Sequence, residues 1–139
     1  MSILLIEDDA IHMKLIKRAL EKSGYGDNII NLDDGEKAIA YLFSEDKREK
    51  QFLPRLIIMD INLPKINGIE VLRRIKEDER LRIIPVVMLT TSSNRMDMEK
   101  CFKYNANSYI VKPLDFQNFM DKMKNVAQYW LEVNTAPTE

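Results

Sequence analysis

Leu56-Ile57-Ile58-Met59 runs without a polar break into Asp60, and Ile61-Asn62-Leu63-Pro64 then turns the chain. A short apolar run with no alternation suits a strand buried on both faces of a parallel sheet. Its carboxylate stands where strand gives way to loop, the edge at which open α/β sheets bind ligands. Three more stretches repeat the pattern. Ile3-Leu4-Leu5-Ile6 stops at Glu7-Asp8-Asp9, Pro85-Val86-Val87-Met88-Leu89 stops at Thr90-Thr91-Ser92-Ser93, and Ser108-Tyr109-Ile110-Val111 stops at Lys112-Pro113. Asn28 to Leu32 reads as a weaker strand.

Helical spacing fills the intervals. Ala10 to Lys22 carries an apolar stripe of Ile11, Leu15, Ile16, Ala19 and Leu20, with Asp9 placed to cap it and glycine at Gly24 to end it. Asp33-Asp34-Gly35-Glu36 and Asn67-Gly68-Ile69-Glu70 each set a capping side chain three residues before a Glu, a helix-start signal. A less regular helix holds Met96, Met98, Cys101 and Phe102, read as core filler. The last helix is expected from about Asp115 to Val133, with Phe116, Phe119, Met120, Met123, Ala127, Trp130 and Leu131 on its apolar side. Strands and helices thus alternate five times, which forces a parallel sheet with helices on both faces. The expected architecture is a three-layer α/β/α sandwich.

Composition narrows the class. The 139 residues fit one domain, and 45% apolar with 31% charged residues reads as globular rather than disordered. A net charge of −1 gives no support to nucleic-acid binding. Cys101 is the one cysteine, so no internal disulfide forms, and a reducing cytoplasmic setting is expected. The N-terminus lacks the basic start and long apolar region of a signal peptide, and no apolar run reaches membrane-spanning length. The charged segment from Ser44 to Gln51 reads as a solvated loop, and the tail 134–139 is expected to fray.

The strand ends carry the chemistry. Asp8 and Asp9, Asp60, Thr90 and Lys112 are far apart in sequence, but a parallel sheet brings them to one edge. Converging carboxylates repel one another unless one takes up a proton or a cation intervenes. Mg²⁺, with its preference for oxygen ligands and phosphate, removes the conflict. The Lys112 ammonium and the Thr90 hydroxyl suit phosphoryl oxygens, and one carboxylate is left as nucleophile for an aspartyl-phosphate. His12 has no second histidine or cysteine near it in sequence and is expected to have no metal or catalytic role.

Here the chain resembles a known family. Ile6-Glu7-Asp8-Asp9, Met59-Asp60-Ile61-Asn62-Leu63-Pro64 with Asn67-Gly68, Leu89-Thr90-Thr91, and Tyr109-Ile110-Val111-Lys112-Pro113 look like the receiver domain of two-component response regulators. The resemblance spans nearly the whole chain. It implies a flavodoxin-like (βα)5 fold with strand order 2-1-3-4-5, and Asp60 as phosphoacceptor with a sensor histidine kinase as donor. It also implies Mg²⁺ bound directly by Asp9, Asp60 and the Asn62 carbonyl, with Asp8 acting through water. Thr90 and Lys112 would contact the phosphoryl group, Tyr109 would be the aromatic switch partner of Thr90, and Lys112–Pro113 would be a cis peptide. Ser92 falls at a position that varies in the family and tunes phosphate lifetime. Softer motifs, Ala106-Asn107-Ser108-Tyr109 and Tyr129-Trp130-Leu131 among them, resemble the stand-alone receivers that partner phytochrome-like kinases.

The expected organisation is a receiver over 1–133, a tail over 134–139 and no output domain. Signalling would then run through a changed surface, onward transfer to a phosphotransfer protein, or assembly. A helix from Asp115 to Val133 would be about 28 Å long, against about 17 Å for a five-residue strand. Tyr129, Trp130 and Leu131 are therefore expected to overshoot the sheet and, with the fourth helix and last strand, form a homodimer or partner surface. Two rivals are weighed. A phosphohydrolase needs an acid two residues after its nucleophile to protonate the leaving group, and Asn62 cannot serve. A binding module without chemistry is disfavoured by the complete Asp8, Asp9, Asp60, Thr90 and Lys112 set.

Overall fold

The computed structural model describes residues 2–44 and 53–137. Residues 45–51 of the charged segment, and the last two of the tail, lie outside the described residues. Five parallel strands, β1 (Ile3–Ile6), β2 (Ile29–Leu32), β3 (Leu56–Met59), β4 (Val86–Thr90) and β5 (Ser108–Val111), lie in the order β2-β1-β3-β4-β5. The helices are α1 (Ala10–Lys22), α2 (Gly35–Leu42), α3 (Gly68–Glu77), α4 (Arg95–Lys103) and α5 (Phe116–Gln128). This is the expected flavodoxin-like sandwich.

β1 and β3 are apolar throughout, and β4 is apolar up to Thr90, because each face of the sheet has its own helical cover. Residues alternate between faces. Leu4, Ile6, Ile57, Met59, Val86 and Met88 pack under Ala38 and Leu42 of α2, Val71, Leu72 and Ile75 of α3, and Cys101 of α4. Ile3, Leu5, Leu56, Ile58, Val87 and Leu89 pack under Ile16, Ala19 and Leu20 of α1 and Phe119, Met123 and Ala127 of α5. The helix starts are capped by side chains: Asp9 on α1, Asp34 on α2, Asn67 on α3, Asn94 on α4 and Asp115 on α5. On α2 the cap is Asp34 rather than the acid one residue earlier, since its Oδ1 accepts from the Lys37 N–H.

The C-terminal end departs from expectation. α5 stops at Gln128, and Tyr129–Val133 continues as one wider turn, closed by the Asn134 N–H donating to the Tyr129 carbonyl at 2.7 Å. That turn rotates Leu131 inward, where it is buried in the α1/α5 core, and Trp130 packs against the same cluster. Only Tyr129 of the expected overshooting trio is largely exposed, with its ring edge-on to Trp130. Of the tail, Ala136 is buried rather than frayed. Ile11, placed on the apolar stripe, is exposed in the first turn of α1, where it lines the cavity beside Asp8 and Asp9. No helix among the described residues is long and apolar enough to cross a membrane.

Candidate phosphoacceptor site

β1 and β3 are paired in register, Ile6 opposite Met59, so the next residues out of the sheet, Glu7 and Asp60, face each other. The Asp60 N–H still donates to the Ile6 carbonyl at 3.1 Å, and its side chain is fixed by the Ile61 N–H, which donates to Oδ1 at 2.7 Å. From the other side α3 presses on the same backbone. A Cβ on Gly68 would stand 2.0 Å from the Asp60 carbonyl oxygen, so only glycine fits there. The loop from Ile61 to Ile66 is held on its far flank by the Gly35 N–H, which donates to the Pro64 carbonyl, and by Lys65 at 3.6 Å from Asp34. Asp60 is thus almost fully buried, its backbone held by β1 and crowded by α3 and its carboxylate fixed by the Ile61 N–H.

Lys112 arrives from the end of β5 and is buried to 6% exposure, which requires charge partners. Its Nζ donates to Glu7 Oε1 at 2.5 Å, to His12 Nδ1 at 2.9 Å and to Asp60 Oδ2 at 3.2 Å. Glu7, at 2% exposure, has its pKa raised, chiefly by burial and secondarily by the nearby Asp60 charge, against the pull of Lys112. Glu7, Asp8 and Asp60 each bring a carboxylate oxygen within 4.8 Å of the other two. One ammonium does not offset three such carboxylates, and an all-oxygen donor set of this charge suits a hard divalent cation. The donor chemistry therefore fits a metal ion. An open cavity of about 580 Å³ gives access, lined by Asp8, Asp9, Asp60, Asn62, His12 and Thr91.

Several expected residues stand differently. Asp9, expected to bind metal directly, caps α1 instead: its Oδ1 accepts from the Ile11 and His12 N–H groups at 2.9 and 3.0 Å. Those bonds, His12's first, hold its pKa below the usual carboxylate range. The acidic pair at the strand end is Glu7 and Asp8, one residue earlier than read. Glu7 was missed because three consecutive acids do not reveal where the strand backbone ends; the β1–β3 register does. The Lys112–Pro113 bond, expected cis, is trans, as is every peptide bond among the described residues. Trans is the favoured isomer of such a bond by about 0.5–1 kcal/mol, and Lys112 reaches the site from it. His12, set aside in the sequence, touches Lys112.

Asn62 is exposed at the cavity wall. Thr90 is fully buried and does not line the cavity, whereas Thr91 does. Thr90 Oγ1 accepts from the Ser92 N–H at 3.2 Å, which leaves its own O–H able to donate. Ser92 joins this hydroxyl to α4 and β5. Its Oγ donates to Asp97 Oδ2 at 2.8 Å, and its carbonyl accepts from the Tyr109 hydroxyl at 2.9 Å. The Tyr109 ring is half-buried, tilted against Phe102 with centroids 6.5 Å apart, and burial raises its pKa.

A carboxylate at the end of the middle strand, two acids beside it, and a lysine and threonine from the next two strands can be compared directly with known proteins. The family pattern described as the response regulator receiver domain matches residues 3–124. The chain belongs to that family. The receiver is 42% identical over 135 residues to the probable methanogenesis regulatory protein FilR2 of Methanothrix harundinacea, covering 97% of this chain and 86% of that protein. The phosphorylated cyanobacterial phytochrome response regulator RcpA superposes with a TM-score of 0.88 at 36% identity, over 98% of this chain and 97% of that one. The Mn²⁺-bound form of the response regulator Rcp1, a protein of Synechocystis sp., gives a TM-score of 0.86 at 34% identity over 98% of each chain. As a receiver, the chain is a two-component signalling module, of the class that takes phosphoryl groups from sensor histidine kinases. Related receivers hold a metal ion, and the Glu7, Asp8 and Asp60 cluster is suited to one.

Proposed function

We propose that Asp60 accepts a phosphoryl group from the phosphohistidine of a sensor kinase and that the chain acts as a switch rather than as an enzyme with turnover. The observation that carries this is Lys112: a buried ammonium reaching Asp60 Oδ2 at 3.2 Å, beside two further carboxylates. A nucleophile so placed is aimed, and a cation is available to the oxygens of the incoming group. In the step, an Asp60 oxygen forms the new P–O bond as the P–N bond of the donor breaks, and the departing imidazole leaves neutral by taking a proton from solvent water. Lys112 then meets a phosphoryl oxygen in place of a carboxylate oxygen. The Thr90 hydroxyl turns from the Ser92 N–H to donate to another, and Tyr109 follows through Ser92.

Mg²⁺ is the metal proposed, held by Glu7, Asp8 and Asp60 with the Asn62 carbonyl, where it would neutralise charge on the transferring phosphoryl oxygens. Asn62 in place of an acid two residues after Asp60 supports a switch over a phosphohydrolase, since it cannot protonate a leaving group. The likeness to RcpA and Rcp1 supports a phytochrome-like kinase as donor, in the cytoplasm, with signalling onward by phosphotransfer or protein contact. A homodimer through α4, β5 and the exposed Tyr129 end of α5 is the assembly proposed.

The test is an intact-mass experiment with acetyl phosphate and Mg²⁺. The wild type should gain one base-labile phosphoryl adduct, absent in Asp60→Asn. Absence of an adduct under conditions that label another receiver would mean a binding module, and turnover of many phosphate esters would mean an enzyme.

A further inference from the structure

We propose that His12 is a positioning residue for phosphoryl transfer: its Nδ1 holds the Lys112 ammonium so that one N–H is aimed at Asp60. An ammonium has three N–H groups and no lone pair. Here each has a single partner: Glu7 Oε1, His12 Nδ1 and Asp60 Oδ2, at 2.5, 2.9 and 3.2 Å. Because Lys112 can only donate, His12 accepts, and the imidazole in this contact is neutral with its proton on Nε2. The longest of the three bonds goes to Asp60, the group that reaction changes. Glu7 and His12 are untouched by the step and remain as fixed anchors.

Two anchors define a direction where one does not. Held by Glu7 alone, the ammonium could swing about that single bond on its flexible four-carbon stem. With His12 as second anchor, the third N–H has only the Asp60 side to point to. His12 is itself held, in the first turn of α1, with its N–H donating to Asp9 Oδ1 at 3.0 Å. Its side chain is 31% exposed and lines the cavity that opens onto Asp60. The type of acceptor also matters. A carboxylate in this place would add a further negative charge to Glu7, Asp8 and Asp60 and draw the ammonium away from the phosphoryl group. A neutral nitrogen orients the ammonium without competing for it.

This role rests on Asp60 being the phosphoryl acceptor, and the experiment separates the two. The rate constant of phosphorylation by acetyl phosphate at saturating Mg²⁺ is measured beside the Mg²⁺ dissociation constant, for wild type, His12→Leu and His12→Asn. Leucine keeps apolar bulk without an acceptor; asparagine places an oxygen where Nδ1 stands. His12→Leu should phosphorylate about tenfold more slowly, on the scale of small misplacements of a catalytic group, with Mg²⁺ affinity unchanged, and His12→Asn should recover most of the rate. If His12→Leu lowers the melting temperature, His12→Ala carries the same expectation. A wild-type rate in His12→Leu would overturn the proposal, as would a His12→Asn as slow as His12→Leu, which would assign the effect to the ring rather than its lone pair. A wild type that gains no adduct on Asp60 would instead overturn the phosphoacceptor reading itself.

Discussion

A single missing methyl group shows how tightly Asp60 is held. A Cβ at residue 68 would lie 2.0 Å from the Asp60 carbonyl oxygen and 2.9 Å from the Ile61 Cα, both backbone atoms that cannot swing aside. Gly68→Ala should therefore cost about 1–3 kcal/mol, the usual range for overpacking, and should slow phosphorylation because the backbone that must yield carries the proposed nucleophile. Chemical denaturation and acetyl-phosphate labelling read the two effects separately. At this scale the sequence was legible where chemistry and position coincide. Asp60, Thr90 and Lys112 each directly follow or end an apolar strand, and the structure places them at that edge. It was illegible by one residue at Glu7-Asp8-Asp9, where all three candidates are acids and only strand pairing decides. The His12–Lys112 contact spans 100 residues of sequence and had no local signal.

Helix α3 sets the angle from which the site is supported, and its own stability is partly electrostatic. Asn67 caps it by accepting the Glu70 N–H at 3.0 Å, and Glu70 then pairs with Arg73 and with Arg74 at 2.9 Å. The hydrogen bonds from Arg73 and Arg74 pull the Glu70 pKa from 4.5 down to about 2. A carboxylate whose folded pKa is depressed contributes stability above its unfolded value, and that contribution is lost as pH falls from 4.5 toward about 2. Denaturant midpoints measured across that window should fall less steeply in Glu70→Gln than in wild type. Caps and apolar runs made the elements legible, since a strand buried on both faces needs no polar residue. The end of α5 was not legible: the apolar spacing runs on unbroken from Ala127 to Trp130 and Leu131, while the chain widens into one turn at Tyr129–Val133 that leaves Leu131 buried in the α1/α5 core.

Across the whole molecule, the two faces of the sheet divide the labour. One face, under α1 and α5, closes into a core that takes in Leu131; the other, under α2, α3 and α4, adjoins the Ser92–Tyr109 path from Thr90. Leu131→Ala should cost about 2–4 kcal/mol as a buried leucine, while Tyr129→Ala should cost about 1 kcal/mol or less. Equal effects in thermal or denaturant melts would mean that Leu131 is not core. A phosphoryl group adds about −1.5 to −2 charge to a site already rich in carboxylates, and under the proposed switch the Thr90, Ser92 and Tyr109 contacts would carry its effect to α4 and β5. All of this depends on where the phosphoryl group sits, and borohydride locates it directly. It reduces an acyl phosphate to an alcohol, turning a phosphorylated aspartate into homoserine that peptide sequencing by mass spectrometry can place. After treatment with acetyl phosphate and Mg²⁺, homoserine should appear at position 60 and nowhere else, and should vanish when EDTA replaces Mg²⁺. Homoserine at position 8 or 9, or a phosphorylated chain that yields none, would contradict the assignment of Asp60.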